Sequence, residues 1–167
     1  MKITVKQKAD FHFVGTGEDF TAELPIDAAA HVGGSGRGFR PPGLLMYSVA
    51  SCMGIHTYHE LRNAGKDADD VQVSTSGERR EESPKVFTKI TLKLDIKAKD
   101  LTDQDVQDAI RIALTKSCSI AVMVNMAAPI TCEYEVTGGA TPLKGTVTAP
   151  PARNSTRPAW VSSVASF

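Results

Sequence analysis

A chain of 167 residues, 41% apolar and 23% charged, is long enough to bury a core of its own without a covalent staple. Its 19 basic residues balance 19 acidic ones and only 6% are aromatic, which disfavours both nucleic-acid binding and electrostatic attachment to a membrane. Three cysteines and four dispersed histidines show no zinc-ligand spacing, and nothing in the sequence requires a metal, nucleotide or flavin cofactor.

Residues 1–10 alternate lysines with β-forming residues and lack the apolar core of a signal peptide. No apolar run reaches the roughly 18 residues of a membrane span, so the expectation is a cytoplasmic protein. Ile3, Val5, Phe11 and Phe13 alternate with polar residues, turn chemistry follows at Gly15–Asp19, and Phe20–Leu24 resumes a period of two. This predicts an N-terminal hairpin. Between Pro25 and Pro42 lies a glycine-rich segment, His31–Pro41, that suits either a loop over a pocket or a solvent-exposed connection.

From Pro42 to Ala64 apolar or small side chains cover nearly the whole circumference of the first four turns, which predicts a central helix. Pro42 is tolerated in its first turn and Gly65 is its stop. Val71–Gly77 and Phe87–Ala98 read as strands, the second with Ile90, Leu92, Leu94 and Ile96 inward. The charged run Glu78–Lys85 between them suits a hairpin end. Thr102 is a candidate N-cap for a helix whose stripe is Val106, Ala109, Ile110 and Ala113. A second helix is expected at about Ser117–Met126 and a closing strand over Ile130–Val136. Beyond Gly138–Gly139 the chain turns to Pro, Thr, Ala and Ser and cannot build a core of its own.

Cys52 and Cys118 each sit near the start of a mostly apolar helix, whereas Cys132 lies in a strand and suits packing. A lone cysteine in an apolar helix is usually a passive core residue, and only folding can bring positions 52 and 118 together. His56, four residues beyond Cys52 on the same helical face, suits either proton relay or a core or interface contact. His59 and Glu60 are expected to be solvated.

Three segments, Pro41–Met53, Gly77–Ile90 and Lys116–Ile120, in this order and with suitable elements between them, resemble the OsmC/Ohr superfamily of osmotically induced and organic-hydroperoxide-resistance proteins. The run Pro84–Ile90 followed by a helix opening near Cys118–Ser119 is most similar to the YhfA-like branch. The resemblance implies an α+β fold with curved antiparallel sheets around two central helices, in an intertwined homodimer with active sites at the subunit interface. The resemblance covers about residues 1–137, and the change of composition after Gly139 divides the chain into a domain of residues 1–140 and an extension of residues 141–167.

The same resemblance implies that Cys52 attacks a hydroperoxide oxygen, that Cys118 resolves the resulting sulfenic acid as a disulfide, and that a dithiol reductant restores both thiols. Phe39, Leu44, Met46, Tyr47 and Met123 are candidates for an apolar approach. Family peroxidases carry an activating arginine in the early hairpin turn and a glutamate in the first turn of the cysteine helix. Here the corresponding positions hold Thr16, Gly17 or Glu18, and Pro42 or Gly43. Arg37 or Arg40 are candidate substitutes, since the glycine-rich segment leads into that helix. Three readings stay open: a thiol-dependent peroxidase, a dimeric protein that binds a small apolar ligand with little catalysis, and a redox sensor.

Overall fold

The computed structural model describes residues 1–151, and the extension beyond them lies outside the described residues. The chain divides into two compact units, the first comprising Met1–Tyr47 and the second beginning at Ser48.

The first unit is a three-stranded antiparallel meander of β1 (Ile3–Ala9), β2 (His12–Gly17) and β3 (Phe20–Ile26), in the order β1-β2-β3. One more turn is present than the sequence suggested. Asp10, at a φ of 38°, reverses the chain between β1 and β2, a conformation that Asp tolerates better than most residues. Gly15 and Gly17 stay inside β2, opposite Val5 and Ile3. Both Ile3 and Val5 are exposed.

The glycine-rich segment after β3 is an ordered loop. Asp27, almost wholly buried, takes hydrogen bonds from the backbone N–H groups of Ala28, Ser35 and Arg37 at 2.8, 3.0 and 2.9 Å, and from Ser35 Oγ at 3.1 Å. These donors hold its carboxyl down at about 2, below the ordinary value of 3.8. Gly34 passes so close to Ala28 that a Cβ would lie 1.9 Å from its carbonyl oxygen, and no other residue fits.

The second unit holds most of helix α1 (Pro41–Asn63), then β4 (Asp70–Arg79), β5 (Phe87–Lys97), α2 (Asp103–Ile112), a π-helical turn (Ala113–Ser117), α3 (Ser119–Asn125), β6 (Ile130–Thr137) and β7 (Leu143–Thr148). Pro41 and Pro42 occupy helical positions whose N–H groups would have no partner within the helix. At the other end, the Lys66 N–H returns to the Leu61 carbonyl at 3.0 Å. Val49, Ala50, Met53, Thr57 and Leu61 are buried, but Leu45, Tyr47, Ile55 and Tyr58 are exposed. Thus α1 packs on one face rather than all round. Gly54 marks a close approach to the sheet, since a Cβ there would stand 3.1 Å from Val73 Cγ2.

The large sheet runs β4-β5-β6-β7. Ile90, Leu92, Leu94 and Ile96 of β5 are fully buried or nearly so, as their alternation predicts, and each contributes roughly 1.5–3 kcal/mol by leaving water. Ile130, Cys132, Tyr134 and Val136 of β6 are buried in the same alternation. Thr102 caps α2 in a capping box with Asp105, and the predicted stripe Val106, Ala109, Ile110 and Ala113 is buried. Tyr134 Oη donates to Asp103 Oδ1 at 2.6 Å and ties β6 to the start of α2.

The fold is α+β with two helical regions, α1 and the α2–α3 segment. The expectation of curved antiparallel sheets around two central helices in an intertwined homodimer is corrected on particular points. Both sheets are open, and the larger is mixed, because the connection through α2 and α3 returns β6 parallel to β5 in the register Ile90↔Ile130 to Lys97↔Thr137. The path of the chain after Gly139, open in the sequence, is a seventh strand as far as Thr148, with Val147 buried opposite Cys132. Among the described residues no helix is long and apolar enough to cross a membrane.

Candidate redox site

Cys52 lies in α1 one turn before His56, and both are half-buried. Cys118 sits at the joint between the π-helical turn and α3, with φ −84° and ψ 98°. Its N–H closes the π turn on the Ala113 carbonyl at 3.0 Å, and its carbonyl receives the Val122 N–H at 3.0 Å. The Cys118 sulfur in turn accepts the Ala121 N–H at 3.2 Å. Backbone on both sides therefore fixes this side chain. The sequence placed a plain helix start here and gave no sign of the π turn, which inserts one residue and resets the helical phase.

The two sulfurs meet. The Cys118 thiol, wholly buried, lies within side-chain hydrogen-bonding reach of Cys52 across 66 positions of sequence. Burial first, and then this hydrogen bond, push the Cys118 thiol up to about 12. At neutral pH Cys118 is therefore protonated. Cys132, buried in β6, is also pushed up to about 12, first by burial and then by the neighbouring Cys118. All three cysteines are free thiols.

A further tie was missed in the sequence. Ser117 Oγ donates to Glu60 Oε1 at 2.6 Å, 57 positions away. The Glu60 side chain is only 15% exposed, against 63% for its neighbour His59, so the expectation that both are solvated holds for His59 alone. The Ser117 hydroxyl, more than any other group, holds the Glu60 carboxyl below its ordinary value. No periodicity marks a hydrogen bond between a helix and a distant turn.

The remaining candidates lie as follows. Arg37 places its backbone N–H on Asp27 and its Nε on Ser35 Oγ at 2.6 Å. Arg40 is exposed and lends its carbonyl to the Leu44 N–H at the start of α1. Phe39 stands edge-on to Tyr47, ring centroids 5.3 Å apart, and its backbone bonds to Pro25 and Asp27 beside β3. Leu44 and Met46 are half-buried, Tyr47 is exposed in the first unit, and Met123 is exposed on α3 of the second.

Residues 34–133 match the model of the OsmC-like protein family. This chain belongs to the OsmC-like family. Protein YhfA of Escherichia coli K12 is 34% identical to this OsmC-like chain over 96 residues, which cover 58% of the chain and 72% of YhfA. An OsmC-like protein from Mycoplasma pneumoniae superposes with a TM-score of 0.70 at 14% identity, over 81% of this chain and 96% of that one. The organic hydroperoxide resistance protein OhrB of Bacillus subtilis superposes with a TM-score of 0.55 at 22% identity, over 80% and 96% of the two chains. At those identities the two structures speak for the fold.

Proposed function

We propose that this OsmC-like protein reduces organic hydroperoxides, with Cys52 as the nucleophile and Cys118 as the resolving thiol. The observation that carries the reading is the pairing of the Cys118 and Cys52 side chains, two cysteines from distant segments brought together within an OsmC-like fold. In the first step the Cys52 thiolate attacks the terminal peroxide oxygen. The O–O bond breaks, an alcohol leaves, and Cys52 becomes a sulfenic acid. The departing alkoxide needs a proton, and the Cys118 thiol beside it holds one. Giving up that proton leaves Cys118 as the thiolate that the second step requires. It attacks the Cys52 sulfur and forms the disulfide, and the expelled hydroxide takes up the proton that Cys52 gave up and leaves as water. One peroxide and two thiols thus yield one alcohol, one water and one disulfide, which an external dithiol reduces.

His56, on the Cys52 face of α1, is the candidate to accept the Cys52 proton. Phe39, Leu44, Met46, Tyr47 and Met123 are the candidates for contact with the organic group of the peroxide. A second reading, a binding protein with little peroxidase activity, draws on the early turn and the first turn of α1. These hold Thr16, Gly17, Glu18, Pro42 and Gly43 where peroxidases of the family carry arginine and glutamate, while the Arg37 Nε is engaged with Ser35.

Stopped-flow oxidation of the reduced protein by cumene hydroperoxide and by hydrogen peroxide separates the two, with mass spectrometry to map the disulfide and Cys52→Ser as control. The peroxidase reading expects rapid oxidation by the organic peroxide, dependent on Cys52 and ending in a Cys52–Cys118 bond. Oxidation no faster than that of a free thiol would leave the binding reading.

A further inference from the structure

We infer that Glu60 and Ser117 are a positioning pair that holds Cys118 against Cys52, an inference that deepens the redox reading of the site and rests on the contact between the two cysteines. Cys118 follows directly on Ser117, at a joint where the π turn has ended and α3 has not begun. Hydrogen bonds to Ala113, Ala121 and Val122 fix Cys118 within its own segment, and all of them are local in sequence. The approach to Cys52 is a relation between that segment and α1. The Ser117–Glu60 hydrogen bond spans these two elements at 2.6 Å, one residue from the resolving sulfur.

Glu60 stands on α1 two i→i+4 steps beyond Cys52, with His56 between them on the same stripe. Side chains on a helix lean toward its N-terminus, so the Glu60 carboxylate reaches back along α1 toward Cys52. A charge-assisted hydrogen bond from a half-buried serine is stronger than a neutral one and directional. It also removes the freedom of a long acidic side chain that would otherwise extend into water. The consequence is a higher effective concentration of the Cys118 sulfur at Cys52, which favours an intramolecular disulfide in the same way that preorganisation favours any ring closure.

The test measures the disulfide itself, without a peroxide. In a glutathione buffer, one oxidised glutathione accepts two electrons from Cys52 and Cys118, forming their bond and releasing two reduced glutathione molecules. The equilibrium constant of that exchange is read by mass spectrometry of the trapped protein. Ser117→Ala and Glu60→Asp, which is one methylene too short and keeps the charge, should each lower it about tenfold, a rise of about 30 mV in potential. Combined, they should lower it no further than either alone. Ser117→Thr keeps the hydroxyl and should restore the wild-type value.

A purely structural role would weaken oxidised and reduced protein alike and leave the constant unchanged. That result overturns the inference, as do additive effects of the two variants, or a wild-type protein that forms no Cys52–Cys118 bond with glutathione. A wild-type protein that forms the bond with glutathione but ignores hydroperoxide would instead refute the peroxidase reading and leave the positioning pair standing.

Discussion

Cys118 and Asp27 are both buried acids, and burial favours the neutral form of each, yet they end on opposite sides of their ordinary values. Cys118 is buried with a sulfur as its neighbour, and both features favour the neutral thiol. Asp27 is buried among four donors, which favour the carboxylate more than burial disfavours it. The consequence for Asp27 has a definite sign. Its folded value of about 2 lies below the ordinary 3.8, so on acidification the unfolded chain takes up the proton first. The stabilisation is complete above about pH 4 and is lost as pH falls toward 2. Asp27→Asn should therefore have a lower thermal midpoint than the wild type at pH 7, and the gap should narrow between pH 4 and pH 2. Circular dichroism melts across that range check it, and a constant gap would mean that charge is not what the loop depends on.

At the scale of elements, α2 shows local and tertiary signals in agreement. Its cap, its first-turn acids Asp103 and Asp105 and its apolar stripe all lie in one short stretch of sequence. Thr102 both receives the Asp105 N–H at 3.2 Å and donates to the Asp105 carboxylate at 2.7 Å. Thr102→Ala should cost about 1 kcal/mol, read as a fall in urea midpoint with an unchanged slope. Because the cap lies at the far end of α2 from the π turn, the glutathione equilibrium of Cys52 and Cys118 should not move with it. In α1 the local pattern and the tertiary outcome part company. Its circumference is apolar or small, yet Ile55 is 65% exposed and Tyr47 61%, since burial of one face on the sheet leaves the others outward.

At the scale of the whole molecule, the contact between the two sulfurs bears on the choice between catalysis and signalling. A disulfide needs its Cβ atoms about 3.5–4.5 Å apart, and the two side chains already interact. The peroxidase reading expects the bond to close without rearrangement of sheet or helices. Oxidised and reduced protein should give the same far-ultraviolet circular dichroism and the same elution volume on gel filtration. A marked change in either would favour the redox-sensor reading, because a sensor has to alter its shape.

The strands β4, β5 and β6, the three α-helices and the membership of residues 34–133 in the OsmC-like family were legible because their determinants are local. Alternation, capping residues and short motifs act over a few positions, and a linear reading captures them. The turn at Asp10 and the strand Leu143–Thr148 were not legible. The first depends on a conformation that Asp adopts only occasionally, and the second on pairing with β6. The parallel pairing of β5 and β6 was equally hidden, since it is set by where the α2–α3 connection delivers the chain.

At the site, the sequence supplied Cys52, Cys118 and His56 as residue types with a chemistry. The tertiary structure decided that the two thiols meet, that Arg37 turns to Ser35, and that Glu60 leaves solvent for Ser117. Those are relations between segments tens of residues apart. Side-chain hydrogen bonds of that kind leave no periodic trace along the chain, because their geometry is created only when the two segments pack.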